Sequence, residues 1–236
     1  MSEEFTPPSG RASGEPPDES ELRAALRAGA ALYTAGEYHA AHDPWEAVWL
    51  RLDGPDERLF HGAIQLTAAI YHARDRNWSG AAGLAESARE YLALGERRRG
   101  VELQPLREFC RRLAADPSLI ERRPPPAFRV SGSVVRYESL SPAGVALAAE
   151  ALAEEEGYDV SVTLDAARFA RADRARVERE TAPGGEERGE PEDTEFTRFL
   201  RAFLTESARR GVVFDRLTAH VERRRRERED VRGLFE

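Results

Sequence analysis

The chain has 236 residues, with 35 basic against 43 acidic side chains and a net charge of −8. That length supports one large core or two small ones, and the charge has the wrong sign for general nucleic-acid binding, which relies on cations laid along phosphates. The single cysteine, Cys110, excludes an internal disulfide and argues against a cysteine-based metal site, and it fits a reducing, cytoplasmic setting. No apolar run has the length of a secretion signal core or a membrane span, so no membrane partner is expected.

The basic residues are arginine throughout. Together with acidic, alanine-rich helices this composition suggests GC-rich coding and a high-salt origin. Residues 1–17 offer almost nothing to bury and read as disordered. Asp18, with Glu21 three positions on, forms a capping-box pattern and opens a first helix. Its stripe is Leu22, Ala25, Leu26, Leu32 and Tyr33, and it stops at Gly36. Gly29 lies on that stripe, where it would let a neighbour approach closely. A second helix is expected over 37–52, with Pro44 tolerated in a first turn or at a kink. The turn Asp53-Gly54-Pro55 leads into a third helix over 56–74. A fourth spans 78–94, and a fifth, 105–115, carries Leu106, Phe109, Cys110 and Leu113 on one side.

Three prolines, Pro124 to Pro126, cannot continue a helix and mark a boundary. The expected division is a helical bundle over 18–123 and a C-terminal extension over 124–236. In the extension, 133–138 and 158–163 alternate apolar and polar residues as strands do, with a helix over 143–155 between them. Residues 181–193 read as a disordered loop. Helices over 195–209 and 215–229 close the chain, joined by Gly211-Val-Val-Phe214. Interleaved acids dilute Arg223 to Arg226, which reads as a solvated helix end, and His220 reads as a surface residue. The fold class is therefore mainly α: a bundle of about five helices with a smaller α+β or mostly helical extension.

Four of the five histidines and two of the three tryptophans fall between His39 and His72, so chemistry is sought there. At roughly 100° per residue, Tyr38, His39, His42, Trp45, Glu46 and Trp49 share about a third of the second helix's circumference. An ionised carboxylate on a buried face needs a partner or a ligand, which singles out Glu46. The third helix is apolar nearly all round except for one narrow line of His61, Gln65 and His72, flanked by small residues.

Three readings follow. The line can be a buried hydrogen-bond network, with His42 and Glu46 bonded four residues apart and Gln65 and His72 closing it, that fixes helix register. His42, Glu46 and His72 can instead hold zinc or another divalent metal, with an open position for hydrolytic chemistry. The line can also bind a small polar or anionic ligand, with Trp45 and Trp49 as stacking walls. No phosphate-binding glycine loop, nucleophile elbow or Cys-x-x-Cys is present, and Cys110 reads as packing.

The pattern Gly36-Glu-Tyr38, His42-x-x-x-Glu46-x-x-Trp49, Gly62-x-x-Gln65-x-x-x-Ala69-x-x-His72 and Asn77-x-x-Gly80-Ala81 resembles the domain-of-unknown-function family 309. These are small helical proteins of bacteria and archaea. The resemblance covers 22–94 and implies a helical bundle with interest centred on His42, Glu46, Trp49, Gln65 and His72. It implies no activity. Asp43-Pro44 departs from the uninterrupted helix expected of the family, and the part after Pro126 resembles an extension of halophilic archaeal members. The expected function is that of a ligand-binding or scaffold protein, with a metal-dependent enzyme as the alternative. A small molecule or a second copy of the chain is the expected partner.

Overall fold

The computed structural model of the chain describes residues 15–180 and 193–233. The disorder expected near the N-terminus and over 181–193 therefore falls, for 1–14 and 181–192, outside the described residues. Among the described residues the chain is mainly helical, as expected. Helix α1 (Glu19–Ala35) starts where Asp18 Oδ1 accepts from the backbone N–H groups of Ser20 and Glu21, both at 2.8 Å. Glu21 does not return a bond to the cap; it pairs with Arg51. Gly36 ends the helix at φ 92°, a left-handed conformation that glycine adopts without steric cost.

The second helix is shorter than expected. Residues 37–41 form turns, closed by Ala41 N–H to the Glu37 carbonyl at 3.1 Å, and α2 covers only His42–Trp49. Proline has no N–H to give, so the helix begins where Pro44 sits in its first turn and the missing donor costs nothing. Tyr38 and His39 are thereby taken off the helical face on which their spacing placed them. Helix α3 (Gly54–Arg74) is buried without a break from Leu59 to Thr67, and α4 (Trp78–Tyr91) lies against it. At Gly62 an added Cβ would meet Leu92 at 2.8 Å, so glycine sets that distance of approach.

Four two-residue strands form a small antiparallel sheet in the order β1 (Arg97–Arg98), β2 (Val101–Glu102), β3 (Arg129–Val130), β4 (Ser133–Val134). Both hairpins turn on two residues with positive φ, Arg99-Gly100 and Ser131-Gly132, the backbone that two-residue turns require to match strand twist. The expected strand 133–138 is thus cut to its first two residues. Helix α5 (Leu103–Ala115) follows β2 and buries Leu106, Phe109, Cys110 and Leu113, the stripe expected from the sequence.

Beyond the prolines, α6 (Pro142–Glu155) packs on α1 and α2 and also on α7 and α8. The expected strand over 158–163 is instead the start of helix α7 (Val160–Glu180). Gly157, at φ 74°, ends α6, and Asp159 Oδ1 accepts from Ser161 N–H at 2.9 Å to open the next helix. Six alternating residues fit either period, and Val162, Ala166, Phe169 and Ala170 then form one buried stripe. Helix α8 (Glu195–Thr205) and helix α9 (Arg210–Gly233) meet at a 3-10 turn, Ser207–Arg209. Gly211 to Phe214 is therefore no linker but the beginning of α9, where Val213, Phe214, Leu217 and Val221 are buried. Side chains from both sides of Pro124–Pro126 belong to one continuous hydrophobic cluster. No helix among the described residues is long and apolar enough to cross a membrane.

Candidate functional site

The α2–α3 turn and the start of α3 bring one polar cluster together. Trp49 Nε1 donates to Glu57 Oε1 at 3.0 Å, and Glu57 Oε1 also lies 3.5 Å from His61 Nδ1, one helical turn along α3. His61 Nε2 is 3.2 Å from Gln65 Nε2. The imidazole is held between two rings, with Trp49 at 4.4 Å and Tyr91 of α4 at 4.0 Å between centroids. Burial lowers the His61 pKa, opposed by the neighbouring Glu57 carboxylate; the neutral ring is the form that the sandwich favours. Glu57 and Tyr91 were not among the residues that the sequence pattern selected. The signal for Glu57 was its position four residues before His61, whereas nothing local pointed to Tyr91.

Trp45 lies in the core. It is fully buried, donates from Nε1 to the Leu26 carbonyl at 3.2 Å, and packs at 5.5 Å on Phe128. The close approach expected at Gly29 is made by this indole: a Cβ there would lie 2.4 Å from Trp45 Cε2. His72 is engaged elsewhere, with Nδ1 3.0 Å from Asn77 Nδ2. Asn77 also caps α4 by accepting from Gly80 N–H at 3.1 Å, so this pair sets the corner between α3 and α4.

His42 and Glu46 do not bond to one another. Glu46 makes no hydrogen bond or ion pair and is partly exposed, while His42 Nε2 is shut off from solvent without a hydrogen-bond partner. Burial and the nearby His39 hold the His42 pKa down at about 4, leaving a neutral imidazole. Next to it, burial followed by the charge of Glu154 pushes Asp43 up to about 6. This end of the line also touches the C-terminal part: Glu155 of α6 accepts from Ala40 N–H at 2.9 Å.

The pattern's six residues thus divide among separate contacts: Trp49 and Gln65 in the His61 cluster, His72 at the α3–α4 corner, Trp45 in the core, and His42 and Glu46 apart from all of these. Among the described residues no group of three His, Cys, Asp or Glu side chains is placed to hold a metal ion, so His42, Glu46 and His72 are not assembled as a ligand set. Cys110 is buried and its thiol is pushed up to about 12 by burial, which keeps it a thiol and inert as a nucleophile. His220 is not a free surface residue: its side chain is 13% exposed, 3.3 Å from Glu195 and 4.7 Å from the Phe196 ring. Nor is the arginine run only a solvated helix end. Arg224 reaches Asp173 and Arg225 reaches Asp165, both at 2.5 Å, which ties α9 to α7.

Comparison with curated proteins finds no match for the chain. Residues 26–84, from the second half of α1 through α2 and α3 into α4, match the model of the family described as a domain of unknown function, DUF309.

Proposed function

We propose that this chain is a helical scaffold and binding protein in which the His/Glu/Gln/Trp line of α2 and α3 works as a register network rather than as a catalytic centre. One observation carries the reading: most polar groups of the line are used up in contacts that join neighbouring elements. Trp45 ties α2 to α1, Trp49 ties α2 to Glu57 of α3, and His61 stacks on Tyr91 of α4. His72 meets the residue that caps α4. Such pairs penalise any slip of one helix on another, because a slip leaves buried donors unsatisfied at about 1–3 kcal/mol each.

A metal-dependent hydrolase would need at least three ligands converging and an open coordination position, and its support is limited to the residue types of His42, Glu46 and His72. A second reading rests on His42 itself. A neutral imidazole with an unpartnered Nε2, beside Asp43 and Glu46, supports the capture of a small polar ligand at the start of α2. The buried thiol and the arginine-only basic set support a reducing, high-salt setting. A second copy of the chain belongs to the same proposal as a partner, to be tested by gel filtration in high salt.

The deciding measurement is elemental analysis of untagged protein, purified without chelator, beside a His42→Ala/Glu46→Ala variant, with urea unfolding of both and of His61→Ala. Register predicts no stoichiometric metal in either protein, and a destabilisation of roughly 2–4 kcal/mol in His61→Ala from the space opened between two rings. One transition metal per chain, lost in the double variant, would replace this reading with the metal enzyme.

A further inference from the structure

A cleft of about 1030 Å³ lies away from the polar line, between α1, α6, α7 and α8. In a chain of net charge −8 it is lined by Arg23 and Arg27 of α1, Arg171 and Arg174 of α7, and Arg201 of α8. Two of these are already employed. Arg201 binds Asp193 at 2.8 Å and the carbonyls of Tyr137 and Leu140, and Arg27 donates to Ser139 at 3.1 Å. The other three have charge to spare. Arg23 makes no hydrogen bond or ion pair, and Arg171 only lies in the field of Glu150. Arg174 Nη2 is cut off from solvent with no acceptor at all.

The acids on the walls do not balance them. Glu19 is held by Arg99 at 2.8 Å and Asp193 by Arg201, leaving Glu138 alone. The first turns of three helices border the same space: Glu19 and Ser20 of α1, Ser141 to Ala143 of α6, and Asp193 and Thr197 at the start of α8 all line the cleft, with their leading N–H groups capped by Asp18, Ser141 and Thr194, so the arginines carry its positive charge. A buried guanidinium N–H group without an acceptor is costly, and the planar fork of an arginine's donors is matched by a phosphate or carboxylate.

The geometry points to this cleft as a binding site for a small organic phosphate ester carrying two or more negative charges. Volume decides between a bare ion and an organic ligand, since pockets for small molecules run at roughly 300–1,000 Å³. Arginines from α1 on one side and α7 on the other would take the phosphates, while Ala24, Leu140, Ala167 and Leu200 offer an apolar wall to the organic part. The site is independent of the register network, because none of the residues of that network lines it.

The test is isothermal titration of the full chain with ATP, pyrophosphate, citrate and a single-stranded RNA oligomer at about 0.15 M salt. ATP is expected to bind, pyrophosphate more weakly and citrate weakest. Arg23→Gln and Arg171→Gln break no internal contact, so both should fold, and each should weaken ATP about tenfold or more by removing a charge-assisted contact. Arg216→Gln, exposed on α9, should change nothing. Failure of ATP to bind the native chain, unchanged affinity in both cleft variants, tighter binding of citrate, or preference for RNA over ATP would each overturn the assignment.

Discussion

Gly29→Ala sets two well-known effects against each other and lets the structure decide the sign. In the interior of a helix, alanine is favoured over glycine by about 1 kcal/mol. At Gly29, however, the new methyl would lie 2.4 Å from Trp45 Cε2 and Nε1, against an ordinary contact of about 3.5–4.0 Å. The indole cannot simply step aside, because its Nε1 is bonded to the Leu26 carbonyl at 3.2 Å and its ring is packed on Phe128. Overpacking costs about 1–3 kcal/mol, and losing the buried hydrogen bond about 1–3 more. The net is a destabilisation of about 1–5 kcal/mol, which for a chain of this length lowers Tm on the order of 2–20 °C. Gly83→Ala is the matched control: it sits in α4, and an added Cβ meets nothing within 4 Å, so that variant should gain about 0.5–1 kcal/mol. Urea unfolding of both variants beside the native chain reads the two signs directly. A Gly29→Ala protein as stable as the native one would refute the close packing of α2 on α1.

His42 and Asp43 make opposite demands on pH. The folded pKa of His42, about 4, lies below its unfolded 6.5, so the unfolded chain binds the extra proton and stability rises with pH between about 4 and 6.5. Asp43, raised from 3.8 to about 6, takes its proton in the folded state, so stability falls with pH between about 4 and 6. The contributions of this pair should therefore nearly cancel over about pH 4–6, whereas relative to the native chain Asp43→Asn should gain up to about 1.4 kcal/mol per pH unit there and His42→Gln should lose stability as pH rises. Parallel profiles for both variants would show that these two groups are not the titrating pair. Asp56 accepts from Arg98 and Arg99, each at 2.6 Å, at the base of the first hairpin; Asp56→Asn should cost about 1–2 kcal/mol in chemical unfolding, and a neutral result would mean water replaces the carboxylate. Asn77→Ala removes both the cap of α4 and the His72 contact and should cost about 1 kcal/mol in thermal unfolding, with hydrogen exchange rising first at the start of α4.

Local sequence determined the ends and faces of the longer helices. Asp18, Gly36 and Asn77 act through backbone groups within a few residues, and the stripe of α5 needs only a 3.6-residue period, so these were legible without the fold. Gly29 was legible as a point of close approach, but not as the seat of Trp45, because the approaching element is set by the path of the chain. Local pattern failed where two periods coincide or where a neighbour overrides propensity. The segment 158–163 became helical once Asp159 capped it, and the sheet over 97–134 depends on pairing Val101 with Val130 across helix α5. The polar residues between His42 and His72 were identifiable as a group, yet their assignment to separate contacts was decided by tertiary structure alone. The arginines of the α1–α6–α7–α8 cleft lie as much as 178 positions apart, from Arg23 to Arg201. No sequence period links such residues; the packing of α6 on α1, and of α7 and α8 on α6, brings their charges to one space.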